Sequence, residues 1–246
     1  MDKRLKKMTV LFFLVAAADL FLASALLASL VRQKAEWTGA PGAGLKLEDG
    51  GVEHDWRGPK EEAGAVALTF DDGPNARYTE TLLDGLRERR VQASFFLVGQ
   101  CIEGNEAVVK RMEQEGHLIG VHCMEHRDLT KEPEEAAAKQ LMDTAAMIKE
   151  ITGRKPEYMR PPFGKWSSGL QEAVSMEPVF WSVDSLDWKL QDTGRIVKRV
   201  LKDTENGDII LMHDEFRTSV EAALEIIDNL LAKGYTFVTV DELIID

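Results

Sequence analysis

Cysteine is scarce in this chain: Cys101 and Cys123 are the two among 246 residues. That excludes a disulfide-dense scaffold and a Cys-rich zinc site. Positive charge is also short, with 30 Lys and Arg against 42 Asp and Glu, for a net charge of -12. Lys3, Arg4, Lys6, Lys7, Arg32 and Lys34 outweigh Asp2 and Asp19 in the first 34 residues, so the remainder carries about -16. A body that acidic lacks the basic patches that neutralise phosphates, which excludes nucleic acid as a natural partner. A third absence is a Gly-x-Gly-x-x-Gly or phosphate loop after the first predicted strand, which argues against a nucleotide cofactor. Composition is otherwise ordinary, and the length supplies one sizeable core.

The start of the chain differs from the rest. Lys3-Arg4-Leu5-Lys6-Lys7 precedes an almost unbroken apolar stretch, broken only by the charge of Asp19. The stretch is long enough to cross a hydrocarbon core of about 30 Å. We read residues 1–8 as a cytoplasmic basic flank and 9–31 as a signal anchor or transmembrane helix. The excess of basic residues before it keeps the N-terminus inside and puts the body outside the cytoplasm. Small residues around Ala23-Ser24-Ala25 leave a cleaved, secreted form as the competing reading. Gly and Pro clusters then mark residues 32–64 as a stalk, in which His54 reads as a solvated side chain.

From residue 65 to 246 strand-like and helix-like patterns alternate. Apolar runs predict strands over 65–70, 93–98, 118–121, 158–159, 179–183, 208–212 and 236–240. Helical periodicity covers 78–90, 107–115, 133–151, 193–204 and 219–233, with Gly116 and Gly153 as stop signals. About seven strand–helix units argue an α/β domain with parallel strands buried on both faces, as a closed barrel or an open sheet.

Several predicted strands end in residues able to do chemistry. The first runs into Asp71-Asp72-Gly73-Pro74. On a continuing strand the two carboxylates would point opposite ways and could do different jobs. Later strands run into His122 and His126, Arg160, Asp184 with Asp187-Trp188, and His213-Asp214. In a parallel barrel these ends share one rim. Each feature alone has a plain structural explanation: an acidic turn, or a hydrogen-bonded loop histidine. The recurrence at successive strand ends is what argues for a site. Two imidazoles four residues apart on one turn, with a carboxylate from another strand, suit an open-sited divalent metal. Cys123, directly after His122, points away on this reading, and His117, at the opposite end of its strand, is structural.

The body resembles the polysaccharide deacetylase family of carbohydrate esterases, and all five motifs occur in order. They are Thr69-Phe70-Asp71-Asp72-Gly73, His122-Cys123-Met124-Glu125-His126, Arg160-Pro161-Pro162-Phe163-Gly164, Asp184-Ser185-Leu186-Asp187-Trp188 and Leu211-Met212-His213. The resemblance implies a distorted (β/α) barrel. It implies Asp71 as catalytic base, Asp72, His122 and His126 as metal ligands, and Arg160 as the partner of the base. It also implies His213 as general acid, Asp187 as the group that orients it, and three substrate-binding residues: Phe163, whose backbone N–H helps the oxyanion, Trp188, which walls the groove, and Leu211, which lines the acetyl pocket. The implied cofactor is a divalent metal, Zn²⁺ ahead of Co²⁺. The implied activity is removal of N-acetyl groups from an amino-sugar polysaccharide. Peptidoglycan N-acetylglucosamine is favoured by the anchor; chitooligosaccharide, xylan ester and an inactive glycan-binding protein are the alternatives. The chain departs from the family at Cys123, where Ser or Thr is usual, at Arg127 for Pro, at Phe163 for Tyr, and at Val121 for Asn. Cys101 and Cys123 follow neighbouring strands, so a bridge across the rim is an alternative to two buried thiols.

Overall fold

Period-two alternation along parallel strands builds the barrel in the computed structural model, which describes residues 64–245. The expected basic flank, anchor and His54 lie outside the described residues, as does the stalk up to residue 63. Among the described residues no helix is long and apolar enough to cross a membrane.

The elements run in order as β1 (Gly64–Asp71), α1 (Thr79–Arg89), β2 (Ser94–Leu97), α2 (Gly99–Ile102) and α3 (Glu106–Gln114). Then come β3 (Leu118–Val121), α4 (Glu134–Thr152), β4 (Tyr158–Met159), α5 (Ser168–Ala173), β5 (Glu177–Pro178) and β6 (Val183–Asp184). The chain closes with α6 (Asp187–Leu190), α7 (Thr193–Asp203), β7 (Ile209–His213), α8 (Arg217–Ala232), β8 (Tyr235–Val238) and α9 (Val240–Ile245). Every strand pairing is parallel. The main path is β5-β4-β3-β2-β1-β7-β6, and β8 pairs with the first half of β1.

The predicted strand over 179–183 does not form. Its flanks become two short strands, β5 and β6, which is why eight strands are seen where about seven are expected. These two are consecutive in sequence yet occupy opposite ends of the sheet. Seven strands laid flat at about 4.8 Å spacing would put those ends about 29 Å apart. The five residue steps from Pro178 to Val183 span at most about 18 Å. The sheet must therefore curl towards closure, and the segment 179–182 crosses the opening.

Alternation then sorts the side chains into two layers. Val66, Leu68 and Phe70 of β1, Phe95 and Leu97 of β2, and Ile210 and Met212 of β7 join the large core beneath the helices. The intervening residues face inward, where Ala67, Phe96, Val179 and Val240 form a small inner core with Tyr158, Ile209 and Leu243 around it. That core fills only the lower part of the barrel. Near the C-terminal end the same inward phase reaches Thr69 and Asp71 on β1 and Leu211 and His213 on β7. Strand register sets Thr69 beside Leu211 and Asp71 beside His213.

Candidate active site

The inward phase of β3 and β4 continues past their ends. His122 donates its backbone N–H to Leu97, and Arg160 donates its own to Val121, so each extends the ladder by one residue. Asp71, His122, Arg160, Asp187 and Asp214 are all buried. Bringing so many charged groups inside is costly unless each finds a partner or an ion.

Asp71 and Asp72 do not alternate across a strand as expected. β1 ends at Asp71, and Asp72 turns into the left-handed region at φ 73°. Both carboxylates thereby reach the same imidazole: His122 Nε2 lies 3.8 Å from Asp71 Oδ2 and 3.4 Å from Asp72 Oδ1. His126 Nε2 is also 3.4 Å from Asp72 Oδ1. The two histidines do not sit on a helical turn. They belong to a loop in which Cys123 and His126 themselves take positive φ, 66° and 50°. Of seven non-glycine residues with positive φ among those described, five are Asp72, Cys123, His126, Phe163 and Leu186, within or beside the motifs. Such conformations cost about 1–3 kcal/mol each and persist only where the surroundings impose them.

Three observations suit a cation at Asp72, His122 and His126. One ligand atom from each lies within 4.8 Å of the others. Asp72 Oδ1 is buried with no hydrogen-bond partner. His122 Nδ1 is 2.7 Å from the Arg160 carbonyl, which can only accept, so the proton sits on Nδ1 and Nε2 is bare. Burial lowers the His122 pKa despite the raising effect of Asp71 and Asp72, which favours the neutral, ligating form. Cys123 is buried and lies outside the cluster, its thiol 3.6 Å from Gln140 Oε1. Cys101 and Cys123 are both free, so the bridge does not form.

On one side of this cluster Arg160 Nη1 donates to Asp71 Oδ1 at 2.8 Å. The guanidinium is fully buried, stacked 4.3 Å from the Phe96 ring centroid and 5.7 Å from that of Trp181. Its Nε and Nη2 donate to the carbonyls of Val179 and Phe180, at 3.2 and 3.4 Å. Those carbonyls belong to the segment that crosses the barrel opening, so one cation holds both Asp71 and the closure.

On the other side Asp187 accepts from His213 twice, from Nδ1 at 2.7 Å and from the backbone N–H at 2.8 Å. It also accepts the Trp188 backbone N–H at 2.9 Å. Burial alone would raise the Asp187 pKa, but the hydrogen bond and charge of His213 win and lower it. For His213, burial opposes the charged form, and the hydrogen bond and charge of Asp187 outweigh it, raising the pKa to about 9. With Nδ1 committed, Nε2 faces the cluster, 3.9 Å from Asp72 Oδ2.

The expected wall residues flank the rim. Trp188 and Phe163 are about half exposed, and Leu211 is buried on the inner face of β7. The Phe163 ring meets the His126 ring edge-on at 4.6 Å. All ten residues expected at the site thus stand at one end of the barrel. Asp214, which the sequence places beside His213 at a strand end but gives no role, joins them. It is fully buried, accepts the Thr79 hydroxyl, and packs so closely on Gly73 that a Cβ there would lie 2.6 Å from both carboxylate oxygens. Glycine at 73 is thus required by close approach. Burial pushes the Asp214 pKa up to about 7, against the pull of the Thr79 bond. The sequence signal was an acidic residue directly after a predicted buried strand, beside His213.

Residues 58–177 match the family model for polysaccharide deacetylases. The chain is 38% identical over 178 residues to the peptidoglycan-N-acetylglucosamine deacetylase PgdA of Listeria monocytogenes, covering 72% of this chain and 38% of that one. It is 40% identical over 190 residues to the peptidoglycan-N-acetylmuramic acid deacetylase PdaC of Bacillus subtilis, covering 75% of this chain and 41% of that one. The chain therefore spans about two fifths of the length of these two relatives. A peptidoglycan-N-acetylglucosamine deacetylase of Bacillus cereus is matched almost throughout, at 34% identity, with 77% of this chain and 92% of that one covered. The solved structure of PdaC superposes with a TM-score of 0.72 at 39% identity, covering 74% of this chain and 90% of that one.

Proposed function

We propose that this chain, which belongs to the polysaccharide deacetylase family, hydrolyses N-acetyl groups on an amino-sugar polysaccharide, with peptidoglycan as the substrate class. The observation that carries the reading is a three-ligand cluster flanked by two oppositely supported proton carriers. Asp71 is held by a cation, His213 by an anion, and each lies within 4 Å of a cluster residue. The names of the Listeria and Bacillus relatives support peptidoglycan, on either of its two acetylated sugars.

Asp72, His122 and His126 would hold a divalent cation, Zn²⁺ by the nitrogen-rich donor set, with Co²⁺ as the other candidate. When bound, such an ion polarises an acetyl carbonyl and makes water acidic enough to attack at neutral pH. The chain's own groups supply the rest. Arg160 donates to Asp71 and fixes it in place, and Asp71 accepts the proton of the attacking water. The water oxygen bonds to the carbonyl carbon, and the backbone N–H of Phe163 is the donor offered to the oxygen that gains charge. The carbon–nitrogen bond then breaks as His213 gives its Nε2 proton to the leaving amine. A pKa near 9 keeps that proton on His213 at neutral pH. Acetate and a free amine result. Base and acid thus have opposite supports, a guanidinium on Asp71 and a carboxylate on His213, as a two-proton mechanism needs. Leu211 would line the acetyl pocket, with Trp188 and Phe163 walling the sugar groove.

The basic flank and apolar stretch before residue 32 support a membrane anchor that keeps this domain on the outer side, where a wall glycan is met. Acetate release from peptidoglycan fragments, from N-acetylglucosamine oligomers and from acetylated xylan, with and without chelator, tests the reading. Chelator-sensitive release from either amino-sugar substrate supports it. Release from acetylated xylan alone would replace it with an ester hydrolase, and no release from any of the three would leave a glycan-binding protein.

A further inference from the structure

Thr69 carries a hydroxyl that the reaction described above does not use. It is fully buried, two residues before Asp71 on the same inward face of β1. Arg160 has five donors and no acceptor, so the Thr69 oxygen must accept from it, and does so from Nη1 at 2.7 Å. The hydroxyl proton is thereby directed elsewhere. It goes to the Ile210 carbonyl of β7 at 2.8 Å. The polarity of the chain is thus determined: Arg160 donates to Thr69, and Thr69 donates to Ile210.

The same nitrogen, Nη1, serves both Thr69 and Asp71, at 2.7 and 2.8 Å, while the bonds of Nε and Nη2 to Val179 and Phe180 are longer, at 3.2 and 3.4 Å. Short bonds to a charged donor are the strong ones. Two strong anchors two residues apart on one strand define where Nη1 sits and which way its protons point. With Thr69 gone, one N–H is left without an acceptor in a site closed to water, and the guanidinium gains by swinging towards another carbonyl. That motion would carry Nη1 off Asp71.

We propose that Thr69 is a positioning residue: its hydroxyl, braced on the Ile210 carbonyl, aims the Arg160 guanidinium at the Asp71 carboxylate. The inference rests on the deacetylase reading, in which Asp71 takes the proton of the attacking water. The Thr69 backbone lies beside Leu211, but its hydroxyl bonds only to Arg160 and the Ile210 carbonyl, so loss of the hydroxyl acts on turnover and not on binding.

Three variants of the full chain test this, with kcat, KM, Zn²⁺ affinity and thermal unfolding measured for each. Thr69→Val keeps the shape and removes the hydroxyl. Thr69→Ser keeps the hydroxyl. Thr69→Ala removes it in a smaller side chain and stands in if the valine variant does not fold. The expected result is a fall in kcat of about 10- to 100-fold for Val and Ala, matching the loss of one hydrogen bond to a charged group. KM and Zn²⁺ affinity should stay within about two-fold, and Ser should restore kcat to within about three-fold of the parent. Three results overturn the inference: kcat unchanged in the variants without a hydroxyl, Ser as impaired as Val, or a loss of Zn²⁺ affinity in step with kcat. A parent enzyme that releases no acetate sinks the deacetylase reading and the inference together, whereas an active parent with an unaffected Thr69→Val sinks the inference alone.

Discussion

At the C-terminal rim of the barrel His213 donates its Nδ1–H to Asp187 in a hydrogen bond, while at the opposite end His117 Nδ1 accepts the backbone N–H of Ala93 at 3.1 Å. Both rings are largely buried, and burial by itself disfavours imidazolium in both. A carboxylate partner reverses that effect in only one of them. Burial, helped by the charge of Arg111 and opposed by Glu115, drops the His117 pKa to about 4, and its bare Nδ1 accepts from Ala93. A carboxylate requires a proton, so the His213 pKa rises to about 9. The difference teaches that burial makes a histidine unusual, and that the group facing its inner nitrogen makes it useful.

Space shows the same contrast. A cavity of about 530 Å³ opens at the His117 end, bordered by Leu118, Ile119, Glu157, Tyr158 and Asp241. No metal-ligating cluster of three converges there among the described residues, and the carboxylate nearest His117 Nε2, Glu115 at 3.9 Å, does not line the cavity. The rim has the converging cluster. Convergence and not volume marks the working end.

The sharpest way to break this comparison is to make the rim histidine resemble the lower one. Asp187→Asn should cut kcat by about 10²- to 10⁴-fold, the range of a lost general acid. Without the carboxylate the His213 pKa falls, so the alkaline limb of the residual kcat profile should move to lower pH by more than one unit. A limb that stays in place would separate His213 from proton delivery. Next in size is Arg160→Met, which strands the buried Asp71 charge and loosens the crossing at Val179 and Phe180. It should destabilise the domain by about 3–5 kcal/mol, read by denaturant titration.

Asp214 gives a smaller, pH-dependent effect. Its folded pKa, raised to about 7, lies above the unfolded value of 3.8, so its contribution to stability is fully present below 3.8 and is lost as pH rises through 7. Asp214→Asn removes that loss, and the variant should gain stability relative to the parent as pH climbs from about 4 to 7. His117→Gln should change least: turnover within about two-fold, with the amide oxygen still able to accept from Ala93. The sign is opposite to that of a raised histidine. A folded pKa near 4, below the ordinary 6.5, means stability is present above 6.5 and is lost as pH falls through 4. The glutamine variant should therefore lose less stability than the parent between pH 6.5 and 4.

Much of this was legible in the sequence. The apolar runs of β1, β2, β3 and β7 and the periodic helices α4 and α8 are predicted to within a few residues, because continuous burial leaves a strong pattern. Asp71, Asp72, His122, His126, Arg160, Asp187 and His213 stood out because each ends a predicted strand or follows one closely. The split of the 179–183 run was not legible. Its apolar residues satisfy a strand pattern, but they cross the opening, and the Arg160 side chain claims two of their carbonyls. Nor was the turn at Asp72, since a left-handed aspartate leaves no signature beyond the Gly73-Pro74 that follows. Thr69 looked like an ordinary strand residue, and Asp214 like an appendage to His213, because their partners lie far off in sequence: Arg160 and Ile210 for the one, Thr79 for the other.

The central claim is that two adjacent carboxylates divide the labour, Asp72 holding the ion and Asp71 moving the proton. Zn²⁺ content and affinity of Asp71→Asn and Asp72→Asn, measured side by side with turnover, address it most directly. Both variants should lose turnover, with Asp71→Asn keeping one Zn²⁺ per chain and Asp72→Asn failing to retain it. Equal loss of Zn²⁺ from the two would contradict the division.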